Sequence, residues 1–262
     1  MLDPTEAQTV AERFGVSPGQ IARDHLISHL LAALSTHAAE EVIFFGGTAL
    51  ARSLLPEGRL SEDIDLIAQG SRGDIARHLH LALPRALRRE YPDLRWEPAL
   101  TQVREAEPAV LHSPQGLTVR IQLLSPVGYP PWPAHRVDLA QRYSDAPPAR
   151  LTVPTAPAFA ASKTTAWYHR AAARDLYDLW ALATHNHLGT EAAELFARHG
   201  PTNRPPSSDL FRTAPSQNQW QRDLGGQLRL SVTAAQALTT VREHWATATQ
   251  ALTHPTRGDL GS

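Results

Sequence analysis

Cysteine is absent from this chain, so neither disulfides nor thiolate metal sites can belong to it. No apolar run comes near the roughly 20 residues a helix needs to span a bilayer, so no membrane partner is expected. The N-terminus, Met-Leu-Asp-Pro-Thr-Glu, is acidic and lacks the basic and apolar regions of a signal peptide, which points to a soluble, cytoplasmic protein. An excess of either charge is missing too: 25 lysines and arginines stand against 26 aspartates and glutamates, a net charge of −1. Bulk charge therefore does not announce a nucleic-acid binder, and any such role needs a local patch. Arg72, Arg77, Arg85, Arg88, Arg89 and Arg95 form one candidate, although such a run equally suits a solvated helix face.

Lysine itself is nearly missing. Of the 25 basic residues one is a lysine, Lys163, and the other 24 are arginines. A GC-rich coding sequence accounts for that bias and for the many alanines and prolines. A lysine that persists against it marks a place where a compact ammonium on a flexible stem is needed rather than a planar guanidinium. The length of 262 residues, 42% of them hydrophobic, suffices for one large domain or two modest ones with a sizeable core.

Residues 20–38 place Ile21, Leu26, Leu30, Leu31 and Leu34 at helical spacing. A strand at 42–46, a helix at 48–55 and a strand at 62–68 follow. The next helix, 73–90, is expected to break near Pro84, which removes a donor and clashes with the preceding turn. Strands are expected at 95–103, 107–112 and 117–124, the last two joined by Ser113-Pro114-Gln115-Gly116. These elements make a first part over 1–128. Residues 129–157 are rich in proline and read as an extended connection. The second part, 158–262, reads as helices at 158–168, 173–187, 190–198 and 232–252, with a mobile loop at 200–222 and a frayed tail at 254–262.

The most informative stretch is Val42-Ile-Phe-Phe-Gly46-Gly47-Thr48-Ala-Leu, followed at short range by Ser61-Glu-Asp63-Ile-Asp65-Leu66. A β-prone run stops at two glycines, and Thr48 is placed to cap the helix that opens next. Side chains alternate along a strand, so Ser61, Asp63 and Asp65 share one face while Ile64 and Leu66 bury the other. Two carboxylates so placed repel each other unless a cation lies between them. Beside a Gly-Gly turn at a helix N-terminus, whose free N–H groups attract phosphate, they read as a site for a metal-bound nucleoside triphosphate. The turn is neither a Walker loop nor a spaced dinucleotide fingerprint. Downstream, Lys163 precedes Arg170-Ala-Ala-Ala-Arg174-Asp175-Leu-Tyr-Asp178-Leu, in which Asp175 and Asp178 are i,i+3 neighbours on a helix. Among 13 histidines, His25 and His29 fall at i,i+4, but no His-Glu-x-x-His occurs and they read as ordinary core or surface residues.

Gly-Gly-Thr-x-Leu, then Ser-Glu-Asp-Ile-Asp-Leu, a lone lysine and Arg-Asp-Leu-Tyr-Asp-Leu together resemble the AbiEii/AbiGii toxin family of nucleotidyltransferases, over about residues 20–250. The resemblance implies an α+β fold, a polymerase-β-like nucleotidyltransferase core with a mixed sheet, followed by a helical C-terminal domain. It implies transfer of a nucleotide from a nucleoside triphosphate to the 3′ acceptor end of tRNA, which blocks translation, and a cognate antitoxin partner. Carried over motif by motif, Gly46, Gly47, Thr48 and Ser61 would bind the nucleotide and Asp63 and Asp65 would hold Mg²⁺. Lys163 would contact the triphosphate or leaving pyrophosphate, and Asp175 would complete the catalytic set, with Arg174 and Asp178 in support.

One departure stands out. Enzymes of this kind carry a third carboxylate on a later strand, where Val119-Arg-Ile-Gln122-Leu offers Gln122 at the inward position. Glutamine accepts no proton, which leaves the base open; Asp175 is one candidate for it. Two alternatives follow: a nucleotidyltransferase acting on a small-molecule or protein hydroxyl, and a catalytically impaired module that works through its antitoxin contact.

Overall fold

The structure, a computed structural model, describes residues 2–105 and 107–253, so the tail expected at 254–262 lies outside the described residues. The chain divides into two compact units, Met1–Pro154 with Gly226–Arg229, and Thr155–Gly225 with Leu230–Ser262.

The first unit opens with a helix that the apolar spacing did not suggest, α1 (Pro4–Phe14), capped by the Asp3 carboxylate, which accepts from the Thr5 and Glu6 amides. Next comes α2 (Pro18–His37), capped by Ser17. The spacing of its leucines suggests a helix with one buried stripe, but α2 is buried nearly all round, and Asp24, His25, Ser28 and His29 go inside with the leucines. Buried polar groups must be partnered: Asp24 recruits Arg52 and Tyr143, His25 recruits Tyr91 and Asp145, and the Ser28 hydroxyl donates to the Asp24 carbonyl of its own helix.

The sheet follows as β1 (Val42–Phe45), α3 (Gly46–Ser53), β2 (Asp63–Ala68), α4 (Arg72–Ala86), β3 (Arg95–Trp96), β4 (Ala109–His112), β5 (Thr118–Leu124), β6 (Ala134–Asp138) and β7 (Arg150–Pro154). Seven strands form one mixed sheet in the order β3-β4-β5-β2-β1-β7-β6. The β1–β2 pair is antiparallel, while β2–β5 and β1–β7 are parallel. Period-2 alternation places Val42 and Phe44, Ile64 and Leu66, and Val119, Ile121 and Leu123 on one buried face, against which α2 and α4 pack. The other face carries Asp63, Asp65, Arg120 and Gln122, in register across β2 and β5.

Three expectations change. The strand expected over 95–103 shortens to two residues, because the chain leaves the sheet at Pro98, which has no N–H for the ladder. Pro84 lies within α4 rather than breaking it, and the helix ends two residues later. The proline-rich stretch 129–157 is not merely a connection. It contributes edge strand β6 and its neighbour β7, with the prolines before β6, between the two strands, at the very end of β7 and in the first turn of the next helix, positions that cost the ladder little.

The second unit is helical: α5 (Ala156–Arg170), α6 (Ala173–Thr184), α7 (Thr190–His199), a 3₁₀ turn at Ser208–Phe211, α8 (Gln217–Leu224) and α9 (Ala234–Thr253). Val241 and Trp245 of α9 are buried, and α9 packs on α6 and α7. The loop expected to be mobile at 200–222 is held by two anchors. Phe211 and Trp220 are fully buried, and the Trp220 indole donates to the Val232 carbonyl at 2.9 Å. Burying each ring contributes about 1.5–3 kcal/mol, which outweighs the polar, proline-rich composition around it. The molecule is therefore an α+β protein with a mixed-sheet unit and a helical one.

Candidate active site

In the first unit the site is built around the start of α3. The N-cap is Phe45, which has no side chain able to cap, so the expected capping role of Thr48 is not seen. The helix begins two residues earlier than its sequence suggests, and the Thr48 hydroxyl donates instead to the Asp63 carbonyl, tying the helix to the first residue of β2. The first-turn amides of α3 are thus left without a side-chain acceptor, the arrangement that binds anions. A buried ion pair fixes the helix: Arg52, 1% exposed, donates to the Asp24 carboxylate of α2 at 2.8 Å and to the Ala140 carbonyl at 3.0 Å.

Glycine is required at the turn. Gly46 has φ +80°, and a Cβ there would collide with the Asp65 carboxylate. A Cβ on Gly47 would come within 2.7 Å of the Arg59 guanidinium and 3.1 Å of the Ser61 hydroxyl. Gly46, Gly47, Thr48, Ser61, Asp63 and Asp65 are therefore gathered as the sequence suggests, although Ser61 precedes the strand rather than belonging to it. Gly46→Ala is expected to cost about 1–3 kcal/mol in backbone strain and to displace Asp65 as well. A fall in both melting temperature and turnover checks it.

Two arginines at this site escaped the sequence reading. Arg59, 5% exposed, lies against Gly47 and donates to Gln227 Oε1 at 2.7 Å. Arg120 faces Asp63 across the β2–β5 register and donates to both its oxygens, Nε to Oδ1 at 2.9 Å and a terminal nitrogen to Oδ2 at 2.7 Å. Those hydrogen bonds, then the Asp63 charge, raise the arginine's pKa. The signal for Arg120 was available, since it stands two residues before Gln122 on the same strand face. Gln122 lies opposite Asp65 on the same sheet face, half-buried, and its amide donates to the Glu105 carbonyl at 3.3 Å. Arg72 drops out of the expected arginine patch, because its guanidinium donates to the Leu123 and Val103 carbonyls at 2.6 and 3.2 Å.

Beyond Asp65 and Phe45 the same sheet face carries an apolar cavity of about 240 Å³, lined by Ile43, Ile67, Gln69, Tyr129 and Trp132 among others. The Tyr129 ring meets that of Phe45 at 5.2 Å. Burial, and then the Asp65 charge, raise the pKa of the phenol.

The second unit gathers Lys163, Asp175 and Asp178. The ammonium lies 2.6 Å from Asp178 Oδ2 and 3.6 Å from Asp175 Oδ1. All three are buried, Asp175 completely. Arg170, not the exposed Arg174, donates to both oxygens of Asp175, at 2.6 and 2.8 Å.

The family described as nucleotidyl transferase AbiEii toxin, type IV toxin–antitoxin system, matches residues 29–248. The chain belongs to the AbiEii nucleotidyltransferase toxin family. As an AbiEii protein it shares its fold with MenT4, a nucleotidyltransferase toxin from Mycobacterium tuberculosis H37Rv, at TM-score 0.66 and 20% identity, over 93% of this chain and 89% of that one. A protein from H. pylori described as a nucleotidyltransferase aligns at TM-score 0.50 and 15% identity, over 93% of this chain and all of that one. No curated protein matches this AbiEii chain in sequence. Among its described residues no helix is long and apolar enough to cross a membrane.

Proposed function

We propose that this enzyme transfers a nucleotide from a nucleoside triphosphate to an RNA acceptor, the 3′ end of tRNA, and so blocks translation until a cognate antitoxin engages it. The observation that carries this reading is the contact of the Asp65 carboxylate with the Gly46 backbone at the uncapped start of α3. Anion-binding amides and carboxylates meet there, an arrangement that suits a triphosphate carrying a divalent ion.

The donor set fits Mg²⁺. Asp63 and Asp65 supply oxygens from one strand face, and the missing Cβ of Gly46 lets backbone and carboxylate approach closely. When bound, the ion neutralises triphosphate charge. The α3 amides and Arg59 hold phosphate oxygens, and Ser61 lies beside them. Arg120, with a side chain about half exposed, holds Asp63 in the resting site and can turn toward a phosphate when substrate arrives. In the second unit Asp175 and Asp178 hold the Lys163 ammonium, and the family resemblance implies that this lysine meets the departing pyrophosphate. Little covalent work remains beyond aligning the acceptor hydroxyl with the α-phosphate. The aromatic walls of the neighbouring cavity, Tyr129 and Trp132, suit stacking on a nucleobase, that of the triphosphate or of an RNA acceptor.

The test supplies labelled nucleoside triphosphates with purified tRNA, with tRNA-depleted RNA or with protein. Label is expected in tRNA, lost when its 3′ end is oxidised beforehand, with incorporation falling as salt rises. Label confined to protein or to a small molecule would overturn the RNA reading.

A further inference from the structure

α2 buries two histidines one turn apart, and residues far away in sequence come to meet them. His25 and His29 are 2% and 5% exposed, and their rings meet edge-on with centroids 4.7 Å apart. Asp145, on the chain between β6 and β7, places its Oδ1 2.9 Å from His25 Nε2 and 3.7 Å from His29 Nε2. All three ligand atoms lie within 4.8 Å of one another. Donors around a tetrahedral zinc ion, each at about 2.0–2.1 Å, stand about 3.3 Å apart, so the two distances to Asp145 bracket what an ion requires.

Hydrogen bonding alone leaves this cluster incomplete. His25 is satisfied at both nitrogens, by Asp145 at Nε2 and by the Tyr91 hydroxyl at Nδ1. His29 Nε2 is buried with no hydrogen-bond partner among the described residues. Such an orphan is rare in a folded interior and calls for a partner. Tyr91 has a second use here: an ion at Nε2 would displace the proton that His25 gives to Asp145, and the Tyr91 oxygen can then accept from Nδ1–H, which fixes the ligating tautomer. His29 also lines a cavity of about 360 Å³, together with Ala33, Leu87, Glu90 and Pro147.

We propose that His25, His29 and Asp145 form a second divalent-metal site, of zinc-like chemistry, built from residues other than the carboxylates at the Gly-Gly turn. A bound ion would tie α2 to the chain between β6 and β7. Through Tyr91 it would also brace the turn after α4.

The experiment uses the full chain stripped with chelator, carrying Asp63→Asn and Asp65→Asn so that the carboxylates of the proposed active site cannot bind the probe. Titration with Zn²⁺ is expected to show one equivalent bound and a higher melting temperature, and Co²⁺ to give tetrahedral d–d bands. Adding Tyr91→Phe should weaken binding about 10–100-fold, and adding His29→Leu or Asp145→Asn at least as much. Absence of stoichiometric binding in the stripped protein would overturn the site, leaving a hydrogen-bonded histidine cluster. So would undiminished affinity in Asp145→Asn, a substitution at a side chain already about a quarter exposed and therefore easily accommodated. None of these readouts depends on catalysis, so the transfer reaction and this site can fail separately.

Discussion

Asp65→Asn is expected to lower nucleotide incorporation on the order of 10²–10³-fold or more while the protein melts no lower than its parent. The two halves of that result have different causes. The carboxylate lies against the Gly46 backbone and faces the same way as Asp63, so it supplies negative charge where a metal-bound triphosphate must sit. The amide has nearly the same shape, but it cannot offset a divalent charge. Removing one of two like charges from a single strand face relieves repulsion in the folded state, and functional sites commonly trade stability in this way. Asp63→Asn makes an informative partner, because it weakens the pair with Arg120. That arginine is about half exposed, so the stability change should stay below about 1 kcal/mol. Thermal unfolding and labelled-nucleotide incorporation, run on both variants, check the pair of expectations. Near-normal turnover in a folded Asp65→Asn protein would remove this carboxylate from the reaction.

The parts of the fold that the sequence made legible are those where local chemistry and tertiary context agree. Alternation in Asp63-Ile-Asp-Leu and Val119-Arg-Ile-Gln-Leu places the carboxylates, Arg120 and Gln122 on one face whatever the sheet order. The Gly-Gly turn was legible because at Gly46 a φ of +80° and a colliding Cβ favour glycine over any other residue type. Other features depended on long-range contacts. Thr48 looks like a cap by propensity, yet its hydroxyl is captured by a carbonyl 15 residues away, and the helix starts earlier. Arg59 carries no local mark of importance; what brings it to notice is Gln227, 168 residues away. Proline content misled over 129–157, since a β-strand tolerates proline at an edge or an end and composition cannot tell an edge strand from a linker. The i,i+4 histidines of α2 looked ordinary for the same reason: Asp145, which gives them meaning, lies 120 residues from His25.

Lys163→Ala is expected to destabilise the protein by about 3–5 kcal/mol, which separates the structural weight of this residue from its chemistry. The ammonium is buried 2.6 Å from one aspartate and 3.6 Å from a second, and both carboxylates are shielded from water. Taking away the cation leaves buried negative charge short of compensation, which is costlier than losing a surface pair. Lys163→Arg is the sharper variant. It keeps the positive charge, and Arg170 shows that a guanidinium can satisfy a carboxylate in this cluster. Its larger planar head must fit where a compact ammonium sits, so an overpacking cost of about 1–3 kcal/mol is expected, and most molecules should still fold. If the lysine serves only to neutralise Asp175 and Asp178, turnover per folded molecule should survive in the arginine variant. If it also follows the pyrophosphate as it leaves, as the family resemblance implies, a rigid fork held by the aspartates cannot do so. Turnover then falls on the order of 10²–10³-fold, with triphosphate affinity reduced less than rate. The second outcome is expected, since 24 other basic positions in this chain are arginine and this one is not. Denaturant titration gives the stability difference, and single-turnover incorporation normalised to the folded fraction gives the chemical one. Full turnover by a folded Lys163→Arg protein would confine the lysine to holding its helices together.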